Sequence, residues 1–324
     1  MSSLVSVIVL NWNGDKYIHR CVESVINQSY NDIEIIVVDN ASNDGSLEKV
    51  EKMYPNFIYI ENSENYGFSF GMNQGITVSS GEYVIPLNLD VYLHKDYVKE
   101  CIECFKKNPL IGAVGGKELL WKGDELTNES MVGEGIYLRK RFQGIGGPIT
   151  NIGKECFMVT GSFPIFRKSM LENIYEKTGD YYDEMFETGW EDIDLFFRMH
   201  LNGWKCWFTP RAYGWHVGSA SDNENIRLVD KSFDYQVRVL RNRYYTIIKN
   251  VPKGVFISIF PYLVMAEIGM MLVYSIKYPK TFKALQKARK LVKEKMAILR
   301  EKRRLVQQSI KVNNKYIKSF FIKI

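Results

Sequence analysis

Two acidic clusters and one histidine are the residues of this chain best suited to chemistry. Asn88-Leu89-Asp90 directly follows the apolar run Tyr83-Val84-Ile85-Pro86-Leu87. Trp190-Glu191-Asp192 comes a hundred residues later, and His216 follows Tyr213-Gly214-Trp215. Asp90 and His216 offer the oxygen and imidazole donors that suit a divalent cation bridging two phosphates. Asp192 stands at the start of a predicted helix, whose dipole favours the ionised carboxylate. An ionised Asp in a cleft can take a proton from a hydroxyl. Together the clusters suit displacement of a nucleotide diphosphate by an acceptor hydroxyl. Each residue also has an ordinary reading. Asp90 can cap the next helix, and Glu191 and Asp192 can be plain helix N-terminal charge. Trp190 can be a core aromatic, and a lone His is more often structural than a ligand.

The elements that must position these residues follow from periodicity. Short Val/Ile-rich runs at 4–10, 33–38, 57–60, 83–87 and 111–114 read as strands buried on both faces. Helical spacing appears over 15–28, 69–80 and 96–107. This alternation predicts an α/β domain with a mostly parallel sheet. Ligands of such sheets sit beyond the carboxyl ends of the strands. The loops Asn11-Trp12-Asn13, Asp39 to Asp44 and Asn88 to Asp90 should therefore open on one rim. Residues 115–160 lack a clear period and read as long loops with room for strands around the nucleotide. Residues 160–167 read as a strand entering a helix, 191–202 as a helix, and 205–209 as a strand ending at Pro210.

Other motifs are weak. Cys101 and Cys104 fall on the apolar stripe of their helix, with no second pair to complete a zinc site. Gly144-Ile145-Gly146-Gly147 lacks the dinucleotide spacing, and no Walker-type phosphate loop is present. A dehydrogenase and a P-loop NTPase are disfavoured.

Taken in order, the segments 5–14, 37–46, Asn65-Tyr66-Gly67-Phe68, Asn73-Gln74-Gly75, 87–91 and 189–194 resemble glycosyltransferase family 2, of the GT-A fold. The resemblance covers residues 4 to about 250, and within the family it is nearest to the rhamnosyltransferase and galactofuranosyltransferase branch. It implies an inverting transfer of a sugar from a UDP- or dTDP-sugar to a hydroxyl of a glycan or polyprenyl-linked glycan, in cell-surface polysaccharide or glycoconjugate synthesis. By that resemblance Asp39 contacts the base, and Asn11 and Asp44 lie near the nucleoside. Asn65, Gly67 and Asn88 join the donor site. Asp90 and His216 hold Mg2+ or Mn2+, and Asp192 is the base, with Glu191 beside it and Trp190 shaping the acceptor site. Asn88 departs from the usual D-x-D, giving one fewer anionic ligand. A processive synthase should carry Q-x-x-R-W and several spans, and neither is found. A silent nucleotide-sugar-binding scaffold and a nucleotidyltransferase on a similar sheet are the competing classes.

The expected organisation is a catalytic domain at 1–250, divided into a nucleotide-sugar half (1–115) and an acceptor half (116–250). An apolar helical segment and basic amphipathic tail follow at 251–324. The net charge of +6 hides an asymmetry: from Lys277 onward there are 16 Lys/Arg and 2 Asp/Glu, so the rest of the chain is acidic. Such a tail seeks an anionic surface. With no nucleic-acid fold beside it, phospholipid is expected rather than nucleic acid. The stretch 254–276 is long enough to span a bilayer, but basic residues flank both sides, against a single span. Pro261 is expected to break it into two helices dipping into the cytoplasmic leaflet; a buried hairpin or homodimer interface is the alternative. No signal peptide is visible, and five scattered cysteines fit reduced thiols. The expected location is the cytoplasm, attached peripherally or monotopically to the membrane.

Overall fold

The computed structural model describes residues 3–218 and 227–322. The first half alternates β1 (Val5–Asn11), α1 (Ile18–Ile26), β2 (Ile33–Asp39), α2 (Ser46–Met53), β3 (Ile58–Glu61), α3 (Phe68–Val78), β4 (Tyr83–Asn88), β5 (Val91–Leu93) and α4 (Tyr97–Phe105). Five strands follow: β6 (Ile111–Lys122), β7 (Glu125–Ser130), β8 (Ile136–Arg139), β9 (Gln143–Gly146) and β10 (Lys154–Cys156). Next come β11 (Ile165–Arg167), α5 (Lys168–Thr178), α6 (Glu191–Leu201) and β12 (Lys205–His216). The C-terminal helices are α7 (Phe233–Asn250), α8 (Lys253–Lys277), α9 (Pro279–Glu294), α10 (Met296–Gln308) and α11 (Asn314–Ser319).

The main sheet runs β10-β12-β6-β11-β4-β1-β2-β3, with β5 on β12 and β7 on β6. β1 pairs parallel with β2 and β4, β2 with β3, and β6 with β12, while β11 with β4 and β6, β10 and β5 with β12, and β7 with β6 pair antiparallel. The side-chain period of two divides the core. Val5, Val7 and Val9 face α1 and α4 with Ile18, Val22 and Tyr97. Ile8, Ile36 and Val38 face the opposite layer with Met72 and Ile76 of α3. Gly71 and Gly75 let α3 lie close to β1: a Cβ on either would come within 2.4 Å of Leu10 or Ile8.

The structure changes three expectations. The strand at 111 continues to Lys122, so much of the region read as loops is sheet. The strand at 205 does not stop at Pro210 but runs to His216, shifting register between Phe208 and Tyr213. Proline is tolerated there because the irregularity removes the ladder bond its nitrogen cannot make. Pro261 does not break the apolar stretch, which forms one 25-residue helix, α8. The basic tail is two helices, α9 and α10, meeting at Lys295.

A buried ion lattice joins the C-terminal helices to α6. Asp194 pairs with Arg198 at 2.9 Å and with Lys249 of α7 at 2.6 Å, all almost fully buried. Asn250 donates to Asp194 at 2.8 Å, and Lys249 reaches Asp183 at 2.5 Å. Lys302 of α10 closes the lattice on Asp180 and Asp183. Burial opposes the charge of Asp183, but Lys249 and Lys302 hold its carboxyl well below the usual range. Removing one partner strands the other charges in the interior. Asp194→Ala is therefore expected to cost about 3–5 kcal/mol in urea unfolding. A loss smaller than a surface ion pair, about 1 kcal/mol, would contradict this account of the lattice.

Candidate active site

Three loops meet at the carboxyl ends of β1, β2 and β4. Asn11 is fully buried at the end of β1, and its side-chain amide donates to Asp39 at 2.7 Å, Ser42 at 3.1 Å and Ser46 at 2.8 Å. Asp39, also buried, accepts from the Ser42 backbone N–H at 2.8 Å and its hydroxyl at 2.6 Å. Asp44 accepts the backbone N–H of Asp15 at 2.9 Å and of Ser46 at 3.1 Å. Burial raises the Asp44 carboxyl, but these donors and the Ser46 hydroxyl outweigh it and hold it below its usual range. The loops after β1 and β2 are thus one hydrogen-bonded unit. Asn65 accepts the Gly67 N–H at 2.9 Å and the Asn40 amide at 3.2 Å. Gly67 has φ +85, and its neighbour Ser69 donates to the Glu187 carbonyl at 3.1 Å. That bond ties the start of α3 to the loop preceding α6.

After β4, the Asn88 N–H donates to the Ser162 carbonyl at 2.9 Å, and the Asp90 carbonyl accepts from Val217 at 3.1 Å. Asp90 and His216 are brought together, with Oδ1 3.2 Å from Nε2. The other ring nitrogen, Nδ1, lies 2.6 Å from Glu118. Ser162 Oγ sits 3.2 Å from both Glu118 and His216 Nδ1. Burial would depress the basicity of His216, but hydrogen bonds to Asp90 and Glu118 overcome it and raise its pKa to about 10. This donor set fits a divalent cation. One carboxylate oxygen and one imidazole nitrogen converge there. Among the described residues, no three His, Cys, Asp or Glu side chains form a complete metal cage. A hard cation there needs further oxygens, which a diphosphate can provide.

On the other side stands the first turn of α6. Trp190 adopts φ 75, a left-handed conformation that costs a side-chain-bearing residue about 1–2 kcal/mol. Asn242 of α7 holds this turn in place, donating to the carbonyls of Phe186 at 2.8 Å, Thr188 at 3.1 Å and Gly189 at 2.6 Å. The Trp190 ring is half-buried and lies parallel to Phe142 at 5.9 Å, so one face of the indole is covered. Glu191 is buried, and its Oε2 has no hydrogen-bond partner. Asp192 accepts the Ile193 N–H at 2.7 Å. Burial, followed by the like charge of Asp192, raises Glu191 to about 8. Burial also raises Asp192, against backbone N–H groups that lower it.

Two adjacent residues link the halves. A Cβ on Gly161 would fall 2.4 Å from Asp192 Oδ2, so only glycine leaves room for that carboxylate. Next to it, Ser162 touches Glu118 and His216. The Gly161-Ser162 turn therefore sits between Asp192 and the Glu118–His216 pair. Sequence reasoning missed Glu118, Gly161, Ser162 and Asn242. The only signal for Glu118 was a carboxylate in the run Ala113 to Trp121, where the inward faces of a strand are otherwise apolar.

The carboxyl pair gives a testable titration. A carboxyl whose folded pKa lies above its unfolded value costs stability as pH rises between the two. For Glu191 that window runs from 4.5 to about 8. Glu191→Gln should raise the melting temperature relative to wild type above pH 8, and the gain should vanish below pH 4.5, where both forms are neutral. Carbon-13 NMR should show Glu191 titrating near the upper value; an ordinary titration would refute the assignment.

Comparison with known proteins places this geometry. The sequence profile described as Glycosyl transferase family 2 matches residues 6–175, more than half of the chain. A poly-beta-1,6-N-acetyl-D-glucosamine synthase of Staphylococcus epidermidis is 29% identical over 220 residues, 65% of this chain and 49% of that protein. One from Staphylococcus aureus (strain COL) is 28% identical over the same length and shares. The chain spans about half the length of these curated relatives. Among solved structures, GalNAc-T7 with UDP, GalNAc and Mn2+ superposes with TM-score 0.64 at 14% identity, covering 89% of this chain and 55% of that one. S. aureus TarS 1-349 in complex with UDP superposes with TM-score 0.58 at 17% identity, covering 94% and 88%. At these identities the structural likeness is one of fold, the GT-A arrangement of sheet and helices. Since its profile covers β1 to α5 and thus all three donor-side loops, the chain belongs to glycosyl transferase family 2.

Proposed function

We propose that this protein is an inverting transferase that moves a sugar from a nucleoside diphosphate to a hydroxyl of a glycan or lipid-linked glycan, in cell-surface polysaccharide synthesis. The observation that carries the reading is the Gly161-Ser162 turn, which touches Asp192 on one side and the Glu118–His216 pair on the other. The named relatives support a glycan product, and the UDP-bound neighbour supports a uridine donor.

In this reading the loops around Asn11, Asp39, Asp44, Asn65 and Gly67 hold the nucleoside. Asp90 and His216 hold the divalent cation, Mg2+ or Mn2+, with Asn88 beside them. The cation supplies electrostatic stabilisation of the diphosphate leaving group. Asp192 takes the proton of the acceptor hydroxyl as that oxygen attacks the anomeric carbon from the face opposite the diphosphate. Burial, with the charges of Asp194 and Glu118 behind it, keeps the Asp192 proton affinity high enough for this task. Trp190 offers the acceptor only the part of its ring that Phe142 leaves open.

Asp192→Asn should retain donor binding and lose turnover by roughly 10²–10⁴-fold, followed as nucleoside diphosphate release from a panel of nucleotide sugars. Asp90→Ala should instead weaken metal-dependent donor binding. Near-normal turnover by Asp192→Asn would remove it from the role of base. Release of pyrophosphate would indicate a nucleotidyltransferase.

The same reading includes attachment to an anionic membrane through α8, lying in the plane of the leaflet. This helix is the one candidate membrane span by length and composition among the described residues. One stripe, Val255, Ile259 and Leu263, is buried against the protein. It continues at Glu267, which pairs with Arg243 and Arg289 and accepts from Tyr244. Those contacts along the helix argue against a bilayer crossing. The opposite stripe, Ile257, Met265, Ile268, Leu272 and Ile276, is more than half exposed at every position. Lys253 and Lys277 end the helix, and the basic helices α9 and α10 follow. An apolar face between cationic groups suits the headgroup boundary of anionic lipid. Such a partner fits a lipid-linked acceptor. Wild type should float with vesicles containing phosphatidylglycerol, and Ile268→Asp with Leu272→Asp should abolish flotation. A folded wild type that ignores such vesicles would end the membrane reading.

A further inference from the structure

The cation reading names Asp90 and His216, and nothing in it accounts for a buried glutamate behind them. Glu118 lies in the middle of β6 with its side chain only 9% exposed. No Lys or Arg is paired with it among the described residues; it meets His216 Nδ1 at 2.6 Å and Ser162 Oγ at 3.2 Å. Leaving an ionisable group in the interior without a cation is costly unless it has a specific partner. Here the partner is the imidazole.

The sheet explains how they meet. In the parallel pairing of β6 with β12, Glu118 lies opposite Gly214, two residues before His216 and on the same face. Gly214 has no side chain, and a Cβ there would fall 3.2 Å from Leu93 and 3.3 Å from Phe163. Glycine at this position lets β12 pack closely on Leu93 and Phe163. The ring is gripped from behind at Nδ1, which turns Nε2 toward Asp90.

We propose that Glu118 is a positioning residue for the cation site, an inference that rests on the assignment of Asp90 and His216 to that site. By accepting the Nδ1 proton it fixes the ring orientation, directs Nε2 into the cleft and increases the electron density available at that nitrogen. Ser162 holds the Glu118 carboxylate in register. Glu118 does not touch the donor or the acceptor; it acts through His216. Outer carboxylates of this kind typically govern metal affinity by 10–100-fold.

The test measures Mn2+ binding to full-length protein saturated with UDP, by calorimetry and by loss of the free Mn2+ signal in electron paramagnetic resonance. Glu118→Leu, which removes the acceptor, should weaken Mn2+ binding about 100-fold. Glu118→Gln, which still accepts from Nδ1 but without charge, should weaken it about 10-fold. UDP affinity in the presence of chelator should stay at the wild-type value in both variants, which a general disturbance of the fold would not allow. If Glu118→Leu does not fold, Glu118→Gln alone decides. Wild-type Mn2+ affinity in either folded variant overturns the proposal while leaving the Asp90–His216 assignment standing. A wild-type protein that binds UDP but not Mn2+ overturns both.

Discussion

The first turn of α6 carries Glu191, Asp192 and Asp194 within four residues, with Glu191 and Asp194 buried and Asp192 partly so. Three adjacent anions in such an environment repel strongly. The conflict is resolved by dividing them. Asp194 takes the available buried cations, Arg198 and Lys249, and thereby locks α6 to α7. Glu191 and Asp192 are left with none, so both hold their protons more tightly than an ordinary carboxyl. The ion-paired carboxylate and the two unpaired by cations thus come from one turn. The chain after residue 227 is part of this arrangement, because Lys249 sits in α7 and Lys302 in α10.

The opposite wall depends on the sheet. The parallel strands β1, β2 and β4 bring their ends to one rim, where Asn11, Asp39, Ser42 and Ser46 form one hydrogen-bonded network. The His216 side of the site comes from the far end of β12, fifteen residues beyond α6 and past the irregularity at Pro210. Strain is concentrated where the walls meet. Of the positive-φ residues other than glycine among the described residues, Asn13, Ala41, Glu187 and Trp190 lie in the loops after β1 and β2 and before α6, while Phe142 and Asn151 lie elsewhere. Asn242 and the Ser69–Glu187 bond supply the hydrogen bonds that hold the Glu187–Trp190 segment in such a shape.

Much of the donor half was legible because buried parallel strands announce themselves as unbroken apolar runs. Strands 5–11, 33–39 and 83–88 and the common rim of their loops follow from that pattern alone. The pairing of Asp90 with His216 was legible only through family resemblance, since 126 residues separate them and nothing local links them. Ser162 left no mark in the sequence, and Glu118 only that of a carboxylate in an apolar run. Their meaning arises from register between strands far apart in sequence, and register cannot be read from one strand. The continuous helix through Pro261 was misread for a simpler reason: an interior proline disfavours a helix locally, but packing of Val255, Ile259 and Leu263 on the protein body overrides it. The register shift at Pro210 is the converse, a proline that ends nothing because the strand bulges around it.

The account stands on one claim, that the Asp90–His216 pair and Asp192 address the same bound diphosphate sugar from opposite sides. Anomalous diffraction from a crystal grown with Mn2+ and UDP tests it most directly. The account predicts an Mn2+ peak within bonding distance, about 2.0–2.3 Å, of Asp90 and His216, with the diphosphate completing its shell and the Asp192 carboxylate across the cleft beyond Gly161. An Mn2+ peak elsewhere, or a diphosphate lying away from the Gly161-Ser162 turn, would contradict it.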